Sequence, residues 1–144
     1  MIKYITQQRA RYWPVSKKLM AHYNDGSHSN VNDFGLYWYQ NGLAHRDSDK
    51  PACISPKGTL VWYQNGIIHR DGDLPAYIGA DGRLEWWQNN QLHRICGPAR
   101  IWPDGYLEWW INYKNITEEV NLWLNRKRWR STQEQIFEFQ LRFV

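Results

Sequence analysis

The stretch Leu60-Val61-Trp62-Tyr63-Gln64-Asn65-Gly66-Ile67-Ile68-His69-Arg70-Asp71, with Pro75-Ala76 shortly behind it, decides the fold of this chain because it recurs. The preceding copy runs from Leu36 to Asp47 with Pro51-Ala52, and the following copy runs from Leu84 to Arg94 with Pro98-Ala99. A fourth copy starts at Leu107-Glu108-Trp109-Trp110-Ile111-Asn112 and then diverges. The tryptophans step by 24, 24 and 23 residues. A period of this size indicates a repeat array, in which each unit buries its apolar face against its neighbours.

Each copy is predicted to form a β-hairpin. The Leu-x-Trp-Tyr/Trp-Gln segment has the aromatic enrichment and the alternation of a strand. Asn41-Gly42 and Asn65-Gly66 are typical of a two-residue type I′ turn, and Asn89-Asn90 fits the same turn because Asn tolerates positive φ. The returning arm is interrupted before each Pro-Ala and reverses at a glycine (Gly58, Gly82, Gly105). The predicted fold class is therefore mainly β, an antiparallel meander of hairpins of about 24 residues each.

The chain divides into three predicted regions. Residues 1–30 are a lead-in or N-terminal cap, in which Pro14 interrupts a short helix. Residues 31–112 are the hairpin array, and residues 113–144 are a mostly helical C-terminal cap.

The C-terminal cap contains two predicted elements. Thr117 is the expected N-cap of a first helix, with acidic residues in its first turn. Ser131-Thr132-Gln133-Glu134 matches a capping box and favours a second helix from about Thr132. The alternation of Phe137, Phe139, Leu141 and Phe143 with polar residues favours a strand instead over residues 132–144.

Composition narrows the class of protein. Ten tryptophans and nine tyrosines in 144 residues predict an aromatic core. No apolar run approaches the roughly 20 residues of a membrane span, and the start of the chain lacks the apolar region of a signal peptide, so we expect a cytoplasmic protein. Cys53 and Cys96 belong to different copies, roughly 20 Å apart, which is too far for a disulfide.

The net charge of +4 is unevenly distributed. Residues 1–30 hold five Lys or Arg against one acid, residues 31–112 hold seven against nine, and residues 113–144 hold six against four. The array itself is therefore slightly acidic, which weighs against a phosphate-tracking surface.

No catalytic constellation is found in the sequence. The His-Arg-Asp triplets at 45–47 and 69–71 resemble a kinase catalytic loop, but the chain has neither a glycine-rich phosphate loop nor the length of that fold. The histidines of successive copies, on the order of 10 Å apart, are too distant to share a metal ion. We expect each histidine to hydrogen-bond a neighbouring backbone group or carboxylate. The prediction is no enzyme, no cofactor and no metal.

Three sets of residues remain as candidates for binding. The arginine row could stack on indoles and pair with Asp47 or Asp71, or it could face outward toward an anionic partner, as the alternation after His69 suggests. The aromatic row lies on the sheet face opposite the core, where it is covered by residues 113–144 or forms a groove for a partner. A basic cluster either lies at the C-terminal end of a helix, where cations are favourable, or contacts nucleic acid or an acidic protein. The arginine row is Arg46, Arg70 and Arg94, the aromatic row is Tyr39, Tyr63, Trp87 and Trp110, and the basic cluster is Arg126, Lys127, Arg128 and Arg130.

The pattern Trp-x-x-x-Gly-x-x-His-Arg-x-x-x-x-Pro-Ala resembles MORN-type repeats, in the variety associated with tailed bacteriophages and giant DNA viruses. The resemblance covers roughly residues 36–112 and departs from the pattern at Asn90 and in the fourth copy. It implies a β-hairpin meander that acts as an interaction module, with no catalytic residues.

The expected function is therefore a non-enzymatic protein–protein interaction module, phage- or virus-encoded, that binds a host or viral protein. The alternative is a binder of nucleic acid or of a nucleotide-like anionic ligand, with the arginine row for charge and the aromatic row for stacking.

Overall fold

The computed structural model describes residues 29–32, 35–125 and 128–144. The predicted lead-in helix interrupted by Pro14 lies outside these ranges. The strands, in chain order, are β1 Ser29–Asn32, β2 Gly35–Gln40, β3 Leu43–Ala44, β4 Cys53–Ile54, β5 Leu60–Val61, β6 Tyr63–Gln64, β7 Ile67–Ile68, β8 Tyr77–Ile78, β9 Leu84–Glu85, β10 Trp87–Gln88, β11 Gln91–Leu92, β12 Arg100–Ile101, β13 Leu107–Glu108, β14 Trp110–Ile111 and β15 Lys114–Asn115. Helix α1 spans Thr117–Leu124 and helix α2 spans Gln133–Phe143.

The main sheet is the predicted antiparallel meander. Its strands lie in the order β1-β2-β4-β5-β8-β9-β12-β13, and β3 is attached to β2. Equivalent residues of successive copies are aligned by the register, so that side chains on one face form rows across the sheet. The row that faces the core contains Leu36, Ile54, Leu60, Ile78 and Leu84. The mainly β fold class is thereby confirmed.

At Trp62, Trp86 and Trp109 the strand is interrupted, and this interruption separates the main sheet from a second set of hairpins, whereas β2 runs through Trp38 without a break. Between β5 and β6, the Trp62 N–H donates to the Ala76 carbonyl at 2.8 Å, and the Trp62 carbonyl accepts from the N–H of His69 at 3.2 Å. Trp38 and Trp86 make the equivalent pair of bonds. At Trp62 and Trp86 these bonds take the place of regular strand pairing, and all three tryptophan side chains are buried in the core.

The second set consists of two-residue hairpins closed by the predicted turns. The pairs are β2–β3, β6–β7, β10–β11 and β14–β15. Both central residues of each turn have positive φ, as a type I′ turn requires; they are Asn41-Gly42, Asn65-Gly66, Asn89-Asn90 and Asn112-Tyr113. Hydrogen bonds join successive hairpins, such as the one from the Gly66 N–H to the Ala44 carbonyl at 2.8 Å. The fourth hairpin, with Tyr113 at φ +66°, extends the array beyond Asn112 to Asn115.

The cap completes the last copy with a different set of groups. In the first three copies the backbone N–H of the core tryptophan donates to an alanine carbonyl. In the last copy the backbone N–H of Trp109 donates instead to the side-chain hydroxyl of Thr117, at 2.9 Å. Helix α1 begins at Thr117, and Ile116 holds the N-cap position. The prediction that Thr117 is the N-cap is therefore wrong. The ring of Trp109 packs on Trp129 and Phe139, at centroid distances of 4.7 and 4.9 Å.

Residues 133–143 form a helix, so the strand alternative for residues 132–144 is wrong. The side chain of Thr132 caps α2 by accepting from the Gln135 N–H at 3.2 Å. Phe139 is fully buried, while Phe137 and Leu141 are mostly exposed. The alternating apolar residues are thus spread around the helix, and the capping sequence decided the structure over the alternation.

Candidate docking face of the repeat array

Each arginine of the arginine row stacks its guanidinium on the core tryptophan of its own copy. The three side chains are buried, with exposed fractions between 3% and 7%. The distances from Cζ to the ring centroid are 3.6 Å for Arg46 on Trp38, 3.8 Å for Arg70 on Trp62 and 3.9 Å for Arg94 on Trp86. A planar, weakly hydrated guanidinium is suited to such a stack, and an indole is its best aromatic partner.

The same guanidinium joins one copy to the preceding one. Nε and Nη2 of Arg70 donate to both carboxylate oxygens of Asp49 at 2.7 and 2.8 Å, and Nη1 donates to the Pro75 carbonyl at 3.0 Å. Arg94 repeats the bidentate pair with Asp73 at 2.7 and 2.8 Å. We call this arrangement the inter-repeat lock.

Of the two alternatives for the arginine row, the outward-facing one is wrong. Strand β7 ends at Ile68, so the alternation of faces does not continue through His69 and Arg70. The stacking interpretation is confirmed, but the acid that pairs with Arg70 is Asp49 and not Asp71. Asp49 and Asp73, which the interpretation omitted, stand 24 residues apart, and this spacing is the signal in the sequence that would have identified them.

The histidines also connect successive copies. Nδ1 of His45 accepts from the N–H of Asn65 at 3.0 Å, in the turn of the next hairpin, and Nε2 lies 3.0 Å from Oδ1 of Asp47. His69 has the same two partners, the N–H of Asn89 and the carboxylate of Asp71. Because Nδ1 accepts, Nε2 carries the proton and donates to the aspartate. The expected hydrogen bonds to backbone and carboxylate are confirmed.

In the third copy, Ile95 stands where the other two copies have an aspartate. Nδ1 of His93 accepts from the Asn112 N–H at 3.0 Å, and burial lowers the pKa of His93. The described ranges contain no group of three His, Cys, Asp or Glu residues that could hold a metal ion.

All four residues of the aromatic row are half-buried. The indole N–H of Trp87 donates to Glu85 at 2.7 Å, and that of Trp110 donates to Glu108 at 2.9 Å. The ring of Tyr113 lies 6.4 Å from Trp87 and 5.9 Å from Trp110. Trp87 packs against the core cluster of the main sheet, so the expectation that the aromatic row lies opposite the core is wrong for this residue. Neither Trp87 nor Trp110 belongs to the cluster that packs against α1 and α2. The helices of the cap therefore pack on the Trp109 side, and among the described residues they leave the aromatic row half-buried rather than covered.

Open clefts lie between the His-Arg loops and the aromatic row. One of them, which we call the central cleft, has a volume of about 480 Å³ and is lined by Tyr63, His69, Asp47 and Asp71 among others. A cleft of about 270 Å³ beside Tyr39 and another of about 170 Å³ beside Trp87 occupy the corresponding places in the neighbouring copies. The structure thus brings Tyr39, Tyr63 and Trp87 together with the loops, while Trp110 lines none of these three clefts. The arginines form the floor beneath the loops.

The rim of the central cleft is acidic. The side chains of Asp47 and Asp71 are 77% and 81% exposed, whereas the arginines beneath them are buried. Hydrogen bonds from Gln64 and His69 lower the pKa of Asp71, so this carboxylate is negative at neutral pH. Lys50 lines the neighbouring cleft beside Tyr39. The accessible charge of the central cleft is therefore negative, a feature not included among the predicted site residues.

The basic cluster is only partly described. Arg126 and Lys127 lie outside the described residues, and Arg128 and Arg130 are exposed in the connection between α1 and α2. Gln135 organises this connection, since its side chain accepts from the N–H of Arg130 and donates to the carbonyl of Arg128. Arg128 and Arg130 thus precede a helix rather than ending one.

Cys53 and Cys96 are both free thiols, in agreement with the predicted separation. None of the helices within the described ranges is both long and apolar enough to cross a membrane. A comparison with models of protein families, with curated proteins and with solved structures finds no match to this chain.

Proposed function

We propose that this protein is a non-catalytic interaction module that binds another protein along the row of clefts in its hairpin array. The observation that carries the proposal is the recurrence of an open cleft in each of the first three copies, beside Tyr39, Tyr63 and Trp87. Half-buried aromatic rings are rigid and amphipathic, and they are enriched in protein interfaces. A row of similar clefts suits an extended partner better than a small ligand.

The rigidity of the array supports this role. The inter-repeat locks and the histidine bonds hold each loop against the next hairpin, so the clefts exist before a partner arrives. A preformed surface loses little conformational entropy on binding, and more of the contact energy remains as affinity.

The resemblance to MORN-type repeats supports a host or viral protein as the partner. The two free cysteines are in keeping with the reducing environment of a cytoplasm.

Binding of nucleic acid through the arginine row has weaker support. Nucleic-acid affinity depends on cations that reach phosphates, and the guanidiniums of Arg70 and Arg94 are buried and already paired with aspartates. The exposed Arg128 and Arg130 are too few to support a phosphate-tracking surface on their own.

A photo-crosslinking residue tests the proposed docking face. We would place it at Gln40, which is exposed and lines the cleft beside Tyr39, and at Lys57 as the control, an exposed residue in the turn between β4 and β5. We expect protease-sensitive adducts from Gln40 in cells that make the natural partner, and fewer adducts when Tyr63→Ala is added. Equal adducts at both positions, or adducts removed only by nuclease, would contradict the proposal.

A further inference from the structure

We infer that the partner presents a Lys or Arg side chain to the central cleft and a large apolar side chain to the neighbouring cleft beside Trp87. This inference rests on the proposed function and adds the chemistry of what is bound. The residue that follows His-Arg differs among the copies: it is Asp47 in the first, Asp71 in the second and Ile95 in the third. The clefts therefore differ at this position, and each selects its own class of side chain.

The central cleft offers two accessible carboxylates to a cation. The side chains of Asp47 and Asp71 stand on its rim and are mostly exposed. The carboxylate of Asp49, which also lines the cleft, is already bound by the guanidinium of Arg70 at 2.7 and 2.8 Å. Arg46 and Arg70 are buried, and each stacks on the core tryptophan of its own copy. A side chain that enters from solvent therefore meets negative charge first, and a Lys or Arg complements it.

The two carboxylates are held in position before a cation arrives. Nε2 of His45 lies 3.0 Å from Oδ1 of Asp47, and Nε2 of His69 lies 3.1 Å from Oδ1 of Asp71. The amide of Gln64 donates to the other oxygen of Asp71 at 3.1 Å. An ionised carboxylate has about four acceptor positions, so each one retains acceptors for an ammonium or a guanidinium. Because the carboxylates are ordered in advance, more of the contact energy remains as affinity.

The wall of the central cleft favours the same class of side chain. The half-buried ring of Tyr63 lines this cleft. A cation close to an aromatic face gains from the ring quadrupole, and the hydrocarbon stem of Lys or Arg packs on the ring. The volume of about 480 Å³ has room for such a long side chain.

The cleft beside Trp87 has an apolar wall instead. Ile95 is 37% exposed at the position where the first two copies carry a carboxylate, and Leu74 and Trp87 line the cleft with it. The carboxylate of Asp73, which also lines this cleft, is bound by Arg94 at 2.7 and 2.8 Å. Apolar cavities of about 150 Å³ hold a benzene molecule, so this cleft of about 170 Å³ has room for one aliphatic or aromatic side chain.

The two clefts are adjacent, since Arg70 lines both of them. One continuous segment of a partner can therefore place its cationic side chain in the central cleft and its apolar side chain in the next. The cleft beside Tyr39 is lined by Lys50 as well as by Asp47, so its charge is mixed and it selects neither class. Recognition by side-chain chemistry is thus assigned to two of these three clefts.

Selection of phage-displayed random linear peptides on the full-length protein tests the inference without assuming a spacing. We expect the selected peptides to combine a Lys or Arg with a large apolar residue, each above its frequency in the unselected library. The tightest peptide is then labelled, and fluorescence anisotropy at physiological salt gives its affinity for the protein and its variants.

Matched variants identify the two clefts. Asp71→Asn should weaken the selected peptide about two- to fivefold, the size expected for a solvent-exposed ion pair, and Asp47→Asn should add a similar factor. Glu138→Gln makes the same charge change on the exposed side of α2 and should leave the affinity unchanged. Ile95→Asp should weaken the peptide about five- to tenfold, because the apolar side chain loses its contact. Leu122→Asp, at an exposed position of α1, is the control for this substitution.

Ile95→Asp also predicts a gain of binding that a misfolded protein cannot produce. It places a carboxylate where the first two copies already carry one. A second peptide, in which arginine replaces the apolar residue, should therefore bind this variant about two- to fivefold more tightly than it binds the unaltered protein. Equal affinity of the second peptide for the two proteins would contradict the assignment of the cleft beside Trp87.

Three results would overturn the inference as a whole: no excess of Lys and Arg among the selected peptides, no selected peptide at all, or equal effects of Asp71→Asn and Glu138→Gln. If crosslinking at Gln40 nevertheless captures a protein, the docking face stands and only the chemistry assigned to the clefts is wrong. If peptides of the expected class are selected but no protein is crosslinked, the assignment stands and the proposed cellular role fails.

Discussion

The inter-repeat lock makes a prediction in which two aspartates only two residues apart behave differently. Asp49 accepts both charge-assisted bonds of the buried Arg70, while Asp47 contacts His45 and is 77% exposed. The substitution Asp→Asn removes the charge and hardly changes the size of the side chain. Asp49→Asn therefore measures the loss of a charged partner for the buried Arg70, and Asp47→Asn measures the loss of a surface charge alone.

The magnitude follows from what each substitution leaves behind. In Asp49→Asn the buried guanidinium of Arg70 keeps one neutral acceptor in place of a carboxylate. Because the Asp49 side chain is 52% exposed, water compensates in part, and we expect the free energy of unfolding to fall by about 1–2 kcal/mol. In Asp47→Asn the cost is about 0.5 kcal/mol or less, as for most surface positions.

Arg70→Ala removes the stack on Trp62, the ion pair and the donor to the Pro75 carbonyl. Breaking a buried pair from one side costs about 3–5 kcal/mol, and we expect a value in that range. Arg70→Lys keeps the charge but loses the planar fork, so its cost should lie between those of Asp49→Asn and Arg70→Ala.

Urea unfolding followed by tryptophan fluorescence measures these differences, because the midpoint and slope give the free energy of unfolding. The double variant Arg70→Ala with Asp49→Asn completes a cycle, and we expect it to cost clearly less than the sum of the single variants. Equal costs for Asp49→Asn and Asp47→Asn, or additive effects of Arg70 and Asp49, would refute the inter-repeat lock as a source of stability.

The remaining predictions concern the cap and two titrating groups. Thr117→Val leaves the buried backbone N–H of Trp109 without its acceptor and should lower the free energy of unfolding in urea by about 1–3 kcal/mol. Thr132→Ala, which removes the exposed cap of α2, is the control, and a smaller loss for Thr117→Val than for Thr132→Ala would contradict the prediction. Burial lowers the pKa of His93 in the folded state, so the unfolded chain binds the proton more readily and stability falls as the pH drops below 6.5; His93→Gln should reduce this loss in unfolding experiments. A hydrogen bond with Cys53 and burial raise the pKa of Tyr37 to about 12, so its contribution to stability is present below pH 10 and is lost as the pH rises through about 12; Tyr37→Phe should remove only the latest part of the tyrosinate absorbance titration.

The local sequence determined the hairpins. Asn-Gly and Asn-Asn pairs supply the two positive φ angles of a type I′ turn, and this requirement is satisfied within four residues whatever surrounds them. Asn112-Tyr113 closes a fourth hairpin without such a signal. There the alignment with the preceding copy decides the turn, since the Tyr113 N–H donates to the Leu92 carbonyl and its ring packs against Trp87 and Trp110.

Alternation of side chains was a less reliable guide at the ends of strands. It raised the outward-facing alternative for Arg70 because it assumed that the strand continued past Ile68, and it offered a strand for residues 132–144, of which 133–143 form α2. In both places a specific polar interaction decided the conformation: the guanidinium with its stack and carboxylate, and the Thr132 cap with the Gln135 N–H. Periodicity carries no information about such partners.

The repeat, its first three turns and the mainly β class were determined by the sequence alone, because each follows from bonds within one copy or from the identity of the copies. Which acid neutralises each arginine, which face is left open and where its charge lies were decided only by the tertiary structure. These properties arise between copies: stacking places Asp49 against the arginine 21 residues later and leaves Asp47 and Asp71 at the solvent edge of a shared cleft. Contacts between chain segments so far apart depend on the assembled array, and no single copy contains them.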